Sequence, residues 1–345
     1  MSRILVAMSG GVDSTVTAHL MKEKYGEVEG AILSLHKDNE KDIESAKKVS
    51  DQLGIKLNII DGREHFKNTV IKDFVTSYEK CITPNPCIYC NKNCKFELLL
   101  KWAKENGFDY VASGHYAKIE KLENGRYGIF KGKDKAKDQS YVLYQLSQEQ
   151  LSKIIMPLGD YTKDEIRQIA SELKLENAQA KESQDICFIP DGDYAAFIES
   201  VGVENKDSNK KGNFVDRAGN VLGEHKGLIH YTIGQRKGLG LSLKSPMYVC
   251  EKRPWSNEVV LCDNESLFKK RVIARDVNFV GMESLLMPTK VSAKVRYSQN
   301  ETEAMALLVD DKLVVMFDEG VRAPAAGQSI VMYDGDLVLG GGIIN

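Results

Sequence analysis

Ile4-Leu5-Val6-Ala7-Met8 runs directly into Ser9-Gly10-Gly11-Val12-Asp13-Ser14 near the start of this 345-residue chain. The apolar run reads as a strand, the small residues as a tight loop, and Thr15 to Lys24 as the helix that follows. Two glycines let the backbone turn with its N–H groups facing an anion. Ser9 and Ser14 add hydroxyl donors, and the helix N-terminus adds positive potential. That is the chemistry of a phosphate cradle. It is not a Walker loop, because no Gly-Lys-Ser/Thr follows at the required spacing, and the dinucleotide fingerprint Gly-x-Gly-x-x-Gly is absent. The plainer reading of the same residues is a Gly-Gly turn between a strand and a helix.

The segments that follow alternate in the same way. Gly30 to Ser34 reads as a second strand, and Lys41 to Leu53 as a helix with Ile43, Ala46, Val49 and Leu53 on one face and Gly54 as its stop. Leu57 to Ile60 is a third strand. His65 to Lys80 is helical, with Phe66, Val70, Phe74 and Tyr78 at four-residue spacing. Cys94 to Asn106 is a further helix, and Tyr110 to Ser113 a further strand. Strands separated by helices imply right-handed crossovers and a parallel sheet covered on both faces, whose ligands sit beyond the carboxyl ends of its strands. The Ser-Gly-Gly loop, Leu33 and Ser113-Gly114-His115 all fall at such ends. From Tyr161 the pattern stays helical, with capping-box spacing at Thr162 to Glu165 and a stripe of Ile166, Ile169 and Leu173. Asp207 to Gly212 reads as a linker. Beyond it, Val272 to Ala274, Val291 to Val295, Leu313 to Phe317 and Ile330 to Tyr333 read as strands of an all-β module. The expected architecture is an α/β domain with a parallel sheet over 1–200, a small central module over 207–268, and a C-terminal β-barrel over 271–345.

The bulk composition excludes several classes. The chain is 42% apolar and 28% charged, with a formal net charge of −2, which announces neither nucleic acid nor any other partner. Lysines cluster at Lys131, Lys133, Lys135 and Lys137, at Lys206, Lys210 and Lys211, and at Lys269 and Lys270 before Arg271; such clusters read first as solvated loops. No stretch approaches the ~18 apolar residues of a membrane span, and the opening does not read as a secretory signal. The seven cysteines therefore read as thiols of a reducing, cytoplasmic compartment. Cys81, Cys87, Cys90 and Cys94 crowd together, which suggests chemistry or metal rather than stapling.

Five further segments carry chemistry: Thr83-Pro84-Asn85-Pro86-Cys87-Ile88-Tyr89-Cys90-Asn91, Ser113-Gly114-His115-Tyr116-Ala117, Lys137-Asp138-Gln139-Ser140-Tyr141, Ser183-Gln184-Asp185-Ile186-Cys187-Phe188-Ile189, and Tyr231-Thr232-Ile233-Gly234-Gln235-Arg236. The opening loop resembles the pyrophosphate loop of the ATP pyrophosphatases. With these segments in this order, the chain resembles the tRNA-uridine 2-sulfurtransferases from its first strand to Gly340-Gly341-Gly342. The resemblance implies that ATP activates the C2 oxygen of a wobble uridine as an adenylate and that sulfur then displaces AMP. It implies an ATP site at Ala7, Met8, Ser9, Gly10, Gly11, Val12, Asp13 and Ser14, with Asp13 holding Mg2+ or orienting pyrophosphate, and nucleoside contacts at Leu33 and Gly114. At Gly114 the missing side chain is expected to admit the ligand close to the backbone.

Cys187 matches the persulfide-carrying cysteine of the family and Cys90 its partner. Read without the resemblance, Cys187 in Ile-Cys-Phe-Ile is a small buried hydrophobe. Many relatives carry Asp, with an acid/base role, where this chain has Cys87. Cys87, Cys90 and Cys187 thus leave three readings open: ligands of a 4Fe-4S cluster whose free iron holds sulfide, persulfide and disulfide chemistry, or a zinc site built from Cys81, Cys87, Cys90 and Cys94.

A flipped base is required, because C2 of a stacked uridine is out of reach of a cysteine. His115 is a candidate to stack on or hydrogen-bond that base, and Arg296-Tyr297 pairs a phosphate fork with a stacking ring. The resemblance adds tRNA contacts at Lys137, Asp138, Gln139 and Gln328, and tRNAs for lysine, glutamate and glutamine as substrates. The sulfur donor is open among a cysteine desulfurase, a relay protein and free sulfide. Cys250 and Cys262 read as packing. Two rivals stand beside this reading: another ATP pyrophosphatase, such as a tRNA-cytidine thiolase or an amide-forming synthetase, and a metal-stabilised tRNA-binding module with a vestigial nucleotide fold. An ammonia-using synthetase has no need of the distant thiols, and a vestigial fold none of an intact loop at Ser9, Gly10, Gly11, Asp13 and Ser14.

Overall fold

A computed structural model describes residues 2–36, 39–177, 186–202 and 209–345. Ser183, Gln184, Asp185, Lys206 and Asp207, singled out in the sequence, lie outside the described residues. In the first part, strands β1 (Ile4–Ala7), β2 (Val28–Ser34) and β3 (Leu57–Asp61) alternate with helices α1 (Val12–Tyr25) and α2 (Glu40–Leu53). Gly54, with φ 60°, ends α2 in a left-handed cap, as its position predicts. Next come α3 (Arg63–Phe66) and α4 (Lys72–Glu79), joined by a π-helical turn at Lys67–Ile71, so Phe66, Val70, Phe74 and Tyr78 do share one buried face.

A second composite helix starts earlier than expected. Its first segment α5 (Pro86–Cys90) passes through a π turn, Asn91–Lys95, into α6 (Phe96–Glu105). The reading from Cys94 onward followed apolar spacing and missed the cap: Asn85 Oδ1 accepts a hydrogen bond from the Ile88 N–H at 3.3 Å, and Pro86 occupies the first helical position, where no N–H is needed.

The remaining α/β strands are β4 (Tyr110–Ala112) and, after the hairpin β5 (Ala117–Lys121) and β6 (Tyr127–Lys131) and the short helix α7 (Gln148–Leu151), β7 (Ile154–Ile155). The sheet order is β3-β2-β1-β4-β7 and every neighbouring pair is parallel. The chain departs from β1 to one side and returns to its other side at β4, so the crevice between their carboxyl ends is the switch point where such sheets bind ligands. Helix α8 (Lys163–Glu172) starts at the expected capping box, with Thr162 and Glu165 bonded reciprocally, and α9 (Tyr194–Val201) closes this part.

The central module is a sheet of β8 (Gly212–Val215), β9 (Val221–His225), β10 (Tyr248–Arg253) and β11 (Glu258–Cys262), in the order β10-β11-β8-β9. Beyond it, β12 (Phe268–Phe279), β13 (Thr289–Lys294), β14 (Thr302–Val309), β15 (Lys312–Arg322), β16 (Ser329–Asp334) and β17 (Leu337–Ile344) pair antiparallel and close through β12 against β17 into the expected barrel. The hairpin β5–β6, which belongs to the first part in sequence, joins this sheet at β17. Its Ile129 packs with Tyr333 and Val338 of the barrel, so one core spans both parts.

Candidate active site

The loop after β1 is held from behind. Gly10 has φ +75°, and a Cβ there would lie 2.7 Å from the Asp42 carbonyl, so α2 packs where only glycine fits. The Gly10 carbonyl accepts from Ser45 Oγ and from Asn177 Nδ2, both at 2.8 Å. Ser9 donates its N–H to Ser14 Oγ at 3.1 Å, and Ser14 Oγ donates to the Gly11 carbonyl at 2.9 Å. Met8 and Val12 bury their side chains in the core. Only their backbone is left to serve an anion, together with the first-turn N–H groups of α1, which have no partner within the helix.

Asp13 has protein partners. Lys163, at the start of α8, donates from Nζ to Asp13 Oδ1 at 2.8 Å and to Oδ2 at 2.9 Å, and the Tyr116 hydroxyl donates to Oδ1 at 2.8 Å. The Lys163 side chain is only 8% exposed, so this ion pair at the rim of the loop is largely desolvated on its cationic side. Sequence reading missed Lys163, whose sole local signal is its place just after a helix cap. A Cβ at Gly114 would lie 3.2 Å from the Asp13 carbonyl carbon and Thr17 Oγ1, so the first turn of α1 packs tightly against this backbone. The Leu33 carbonyl accepts from Asn39 Nδ2 at 2.9 Å.

Cys87, Cys90 and Cys94 fall on one side of the helix capped by Asn85, at spacings of three and four. Cys187 arrives on a separate segment fixed by Phe188, whose ring packs edge-on against Phe66 at 5.5 Å and Phe74 at 5.4 Å. The side chains of Cys87 and Cys187 reach solvent, though protein crowds round both thiols. Burial, then the neighbouring Cys90 and Cys87, pushes the Cys187 thiol up to about 12, and burial also raises Cys87. Cys90 moves the other way: a hydrogen bond from the Cys94 thiol holds it below its ordinary value, and the Lys95 ammonium adds to the effect. Burial lowers Lys95, while Cys90, Cys187 and Cys87 each pull it back up, so one cation is shared by three thiols. Its Nζ lies 3.5 Å from His115 Nε2, and His115 Nδ1 lies 2.8 Å from Ser113 Oγ. His115 is buried, and desolvation first and Lys95 second keep it neutral. Sequence reading missed Lys95; only its adjacency to the cysteines hinted at it.

Three thiolates are the right donor type for iron–sulfur or zinc binding. Among the described residues, however, no three His, Cys, Asp or Glu side chains converge to hold a metal ion.

Of the residues expected at tRNA, Arg296, Tyr297 and Gln328 make contacts between parts of the protein. Asp138 is buried and accepts from the N–H groups of Gly132 and Ser140 and from Ser140 Oγ, shaping its own loop. Gln139 Oε1 accepts the Tyr116 N–H at 3.0 Å. Arg296 Nη2 donates to the carbonyls of Ile233 at 2.7 Å and Ala323 at 3.0 Å, joining the central module to the barrel. Gln328 Nε2 donates to the carbonyls of Thr83 at 3.0 Å and Pro84 at 3.1 Å, just before the cysteine helix. Tyr297, 44% exposed, donates its hydroxyl to the Asp138 carbonyl, and its ring lies within electrostatic reach of Cys87. Lys137 is half-buried.

Comparison with known proteins agrees with this layout. Residues 2–191 match the model of the tRNA methyl transferase HUP domain, 203–263 that of the tRNA methyl transferase PRC-barrel domain, and 269–344 that of the aminomethyltransferase beta-barrel domain. The tRNA-specific 2-thiouridylase MnmA of Clostridioides difficile is 46% identical, the alignment covering 99% of this chain and 98% of that protein. The protein of the same name from Clostridium kluyveri is 47% identical, with 99% of both chains covered. Among solved structures, an NH3-dependent NAD synthetase from Campylobacter jejuni aligns with a TM-score of 0.33 at 17% identity, over 58% of this chain and 75% of its own. Identity near one half over the whole length, with all three domains in order, shows that the chain belongs to the tRNA-specific 2-thiouridylase family.

Proposed function

We propose that this enzyme uses ATP to activate the C2 oxygen of a wobble uridine in tRNA and replaces that oxygen with sulfur, releasing AMP and pyrophosphate and leaving 2-thiouridine. The observation that carries the reading is the meeting of two chemistries at one switch point. The phosphate loop follows β1, and the Ser113–His115–Lys95 chain that leads to the thiols follows β4, the strand beside it.

The loop N–H groups and Lys163 bind the phosphates and stabilise charge as pyrophosphate leaves. Asp13, positioned by Lys163 and Tyr116, would hold the magnesium that accompanies ATP or orient the pyrophosphate, and the metal would supply shielding of phosphate charge. Cys90, the thiol held down by Cys94 and Lys95, is the thiolate that attacks the Cys187 sulfur of a persulfide. A Cys90–Cys187 disulfide forms, the terminal sulfur leaves as hydrosulfide, and that sulfur displaces AMP at C2. An external thiol then reduces the disulfide. Tyr297 faces the flipped base, while Asp138, Gln139, Arg296 and Gln328 shape the surface on which the anticodon arm lies. The donor is a cysteine desulfurase or relay protein that loads Cys187, and a chain with seven cysteines suits the reducing cytoplasm. A 4Fe-4S cluster on Cys87, Cys90 and Cys187 is the alternative use of the same thiols.

Anaerobically purified enzyme should release AMP and pyrophosphate from ATP only when unmodified tRNA with a wobble uridine is present. Lys163→Met should reduce that rate roughly 100-fold or more, the scale of losing one preorganised charge partner. ADP as the product, or AMP without tRNA, overturns the reading. Iron content and absorbance near ~400 nm decide between persulfide and cluster.

A further inference from the structure

Two thiols outside the site lie side by side. β10 and β11 pair antiparallel, with Tyr248 opposite Cys262 and Val249 opposite Leu261, and a bulge between Val249 and Glu251 leaves Cys250 without a register partner. Alternation along these strands sends Val249 and Leu261 into the core of the central module with Phe214 and Tyr231. It sends Tyr248, Cys250 and Cys262 to the other face, against Leu267 and Ala323 at the seam with the barrel. There the Cys250 and Cys262 side chains share one cluster, near enough for each thiol to influence the other. Cys262 is buried and Cys250 partly exposed, so one thiol meets solvent and the other waits behind it. Burial first, then Cys250, pushes Cys262 up to about 12, which suits a thiol that stays protonated until its neighbour is oxidised.

We propose that Cys250 and Cys262 form a second dithiol site, independent of Cys87, Cys90 and Cys187, which peroxide converts into a disulfide. Cys250 stands diagonal to Cys262 across the strand pair, on the same face and in the same packed cluster. The Cys250 thiolate attacks one oxygen of hydrogen peroxide, giving a sulfenic acid and hydroxide. Cys262 loses its proton, attacks the Cys250 sulfur and expels the sulfenic oxygen as hydroxide, which the released protons neutralise. In sum, two thiols lose two electrons and two protons, and one peroxide becomes two waters. The bond ties β10 to the end of β11, where the chain leaves for the barrel beside Ala323, whose carbonyl takes the Arg296 guanidinium.

The test uses the full chain with Cys87, Cys90 and Cys187 all replaced by Ser, so that only Cys81, Cys94, Cys250 and Cys262 remain. After mild hydrogen peroxide treatment, titratable thiols should fall from four to two, peptide mapping should show a Cys250–Cys262 cross-link, and dithiothreitol should restore both. Cys262→Ser should remove the cross-link and let Cys250 proceed to sulfinic acid. Mapping of the peroxide-treated wild-type chain should show the same cross-link, which keeps the test open should the triple variant misfold. Cys250 and Cys262 both staying open to iodoacetamide after peroxide, or recovered as oxyacids without a cross-link, overturns the proposal.

Discussion

His115 is held neutral by its surroundings: it is buried, its Nδ1 is taken by Ser113, and the Lys95 ammonium faces its Nε2. Its pKa is therefore well below the usual imidazole value, and burial lowers His225 as well. Above pH ~6.5 both folded and unfolded chains carry these residues neutral, and below it only the unfolded chain takes up protons. Each depressed histidine thus withdraws stability as pH falls, by at most about 1.4 kcal/mol per pH unit. Urea midpoints measured from pH 7 down to pH 5 should decline less steeply in His115→Gln than in the wild type. Parallel curves would show that His115 charges freely in the fold.

At the scale of one element, the helix opening at Pro86 decides where the thiols point. Asn85 is its cap, and the π turn at Asn91–Lys95 shifts the register between Cys90 and the α6 residues that anchor it, Phe96 and Leu99. Asn85→Ala should cost about 1 kcal/mol of stability in denaturant unfolding, and Asn85→Ser should recover most of it. Cys90 alkylation at neutral pH should also slow several-fold in Asn85→Ala, because a frayed first turn disperses Cys87 and Cys90. An unchanged alkylation rate would mean that Cys94 and Lys95 alone position the thiolate. The legibility of this element was partial: Asn-Pro is a helix-start signal in any sequence, yet the apolar spacing that marks the buried face begins only later.

Across the whole molecule, a few long-range hydrogen bonds hold three parts in one arrangement. Gln328 ties the barrel to the Thr83–Pro84 turn, Arg296 ties it to the Ile233 loop, and Arg126 of the β5–β6 hairpin donates to the carbonyls of Phe279 and Val280. Arg296→Ala leaves two carbonyls at this seam without their charged donor, a loss of about 2 kcal/mol or more locally. It should weaken tRNA binding in filter assays, speed proteolysis near the seam and leave ATP binding unchanged. Arg296→Lys should rescue little, since an ammonium cannot fork between Ile233 and Ala323. Equal loss of ATP and tRNA binding would place the effect in the α/β part instead.

The local grammar of the chain was sufficient for the parallel sheet, the loop at Ser9 to Ser14, the capping box at Thr162 and the barrel strands, because strand and helix periods and cap chemistry act over a few residues. The order of the motifs was sufficient for the family. Only the tertiary structure brought Lys163 onto Asp13, Lys95 among three thiols, and Arg296 and Gln328 onto backbone carbonyls of other parts. A buried lysine or arginine looks like a surface one in sequence. What separates them is desolvation and the partner that compensates it, and both arise only when segments far apart in the chain are packed together.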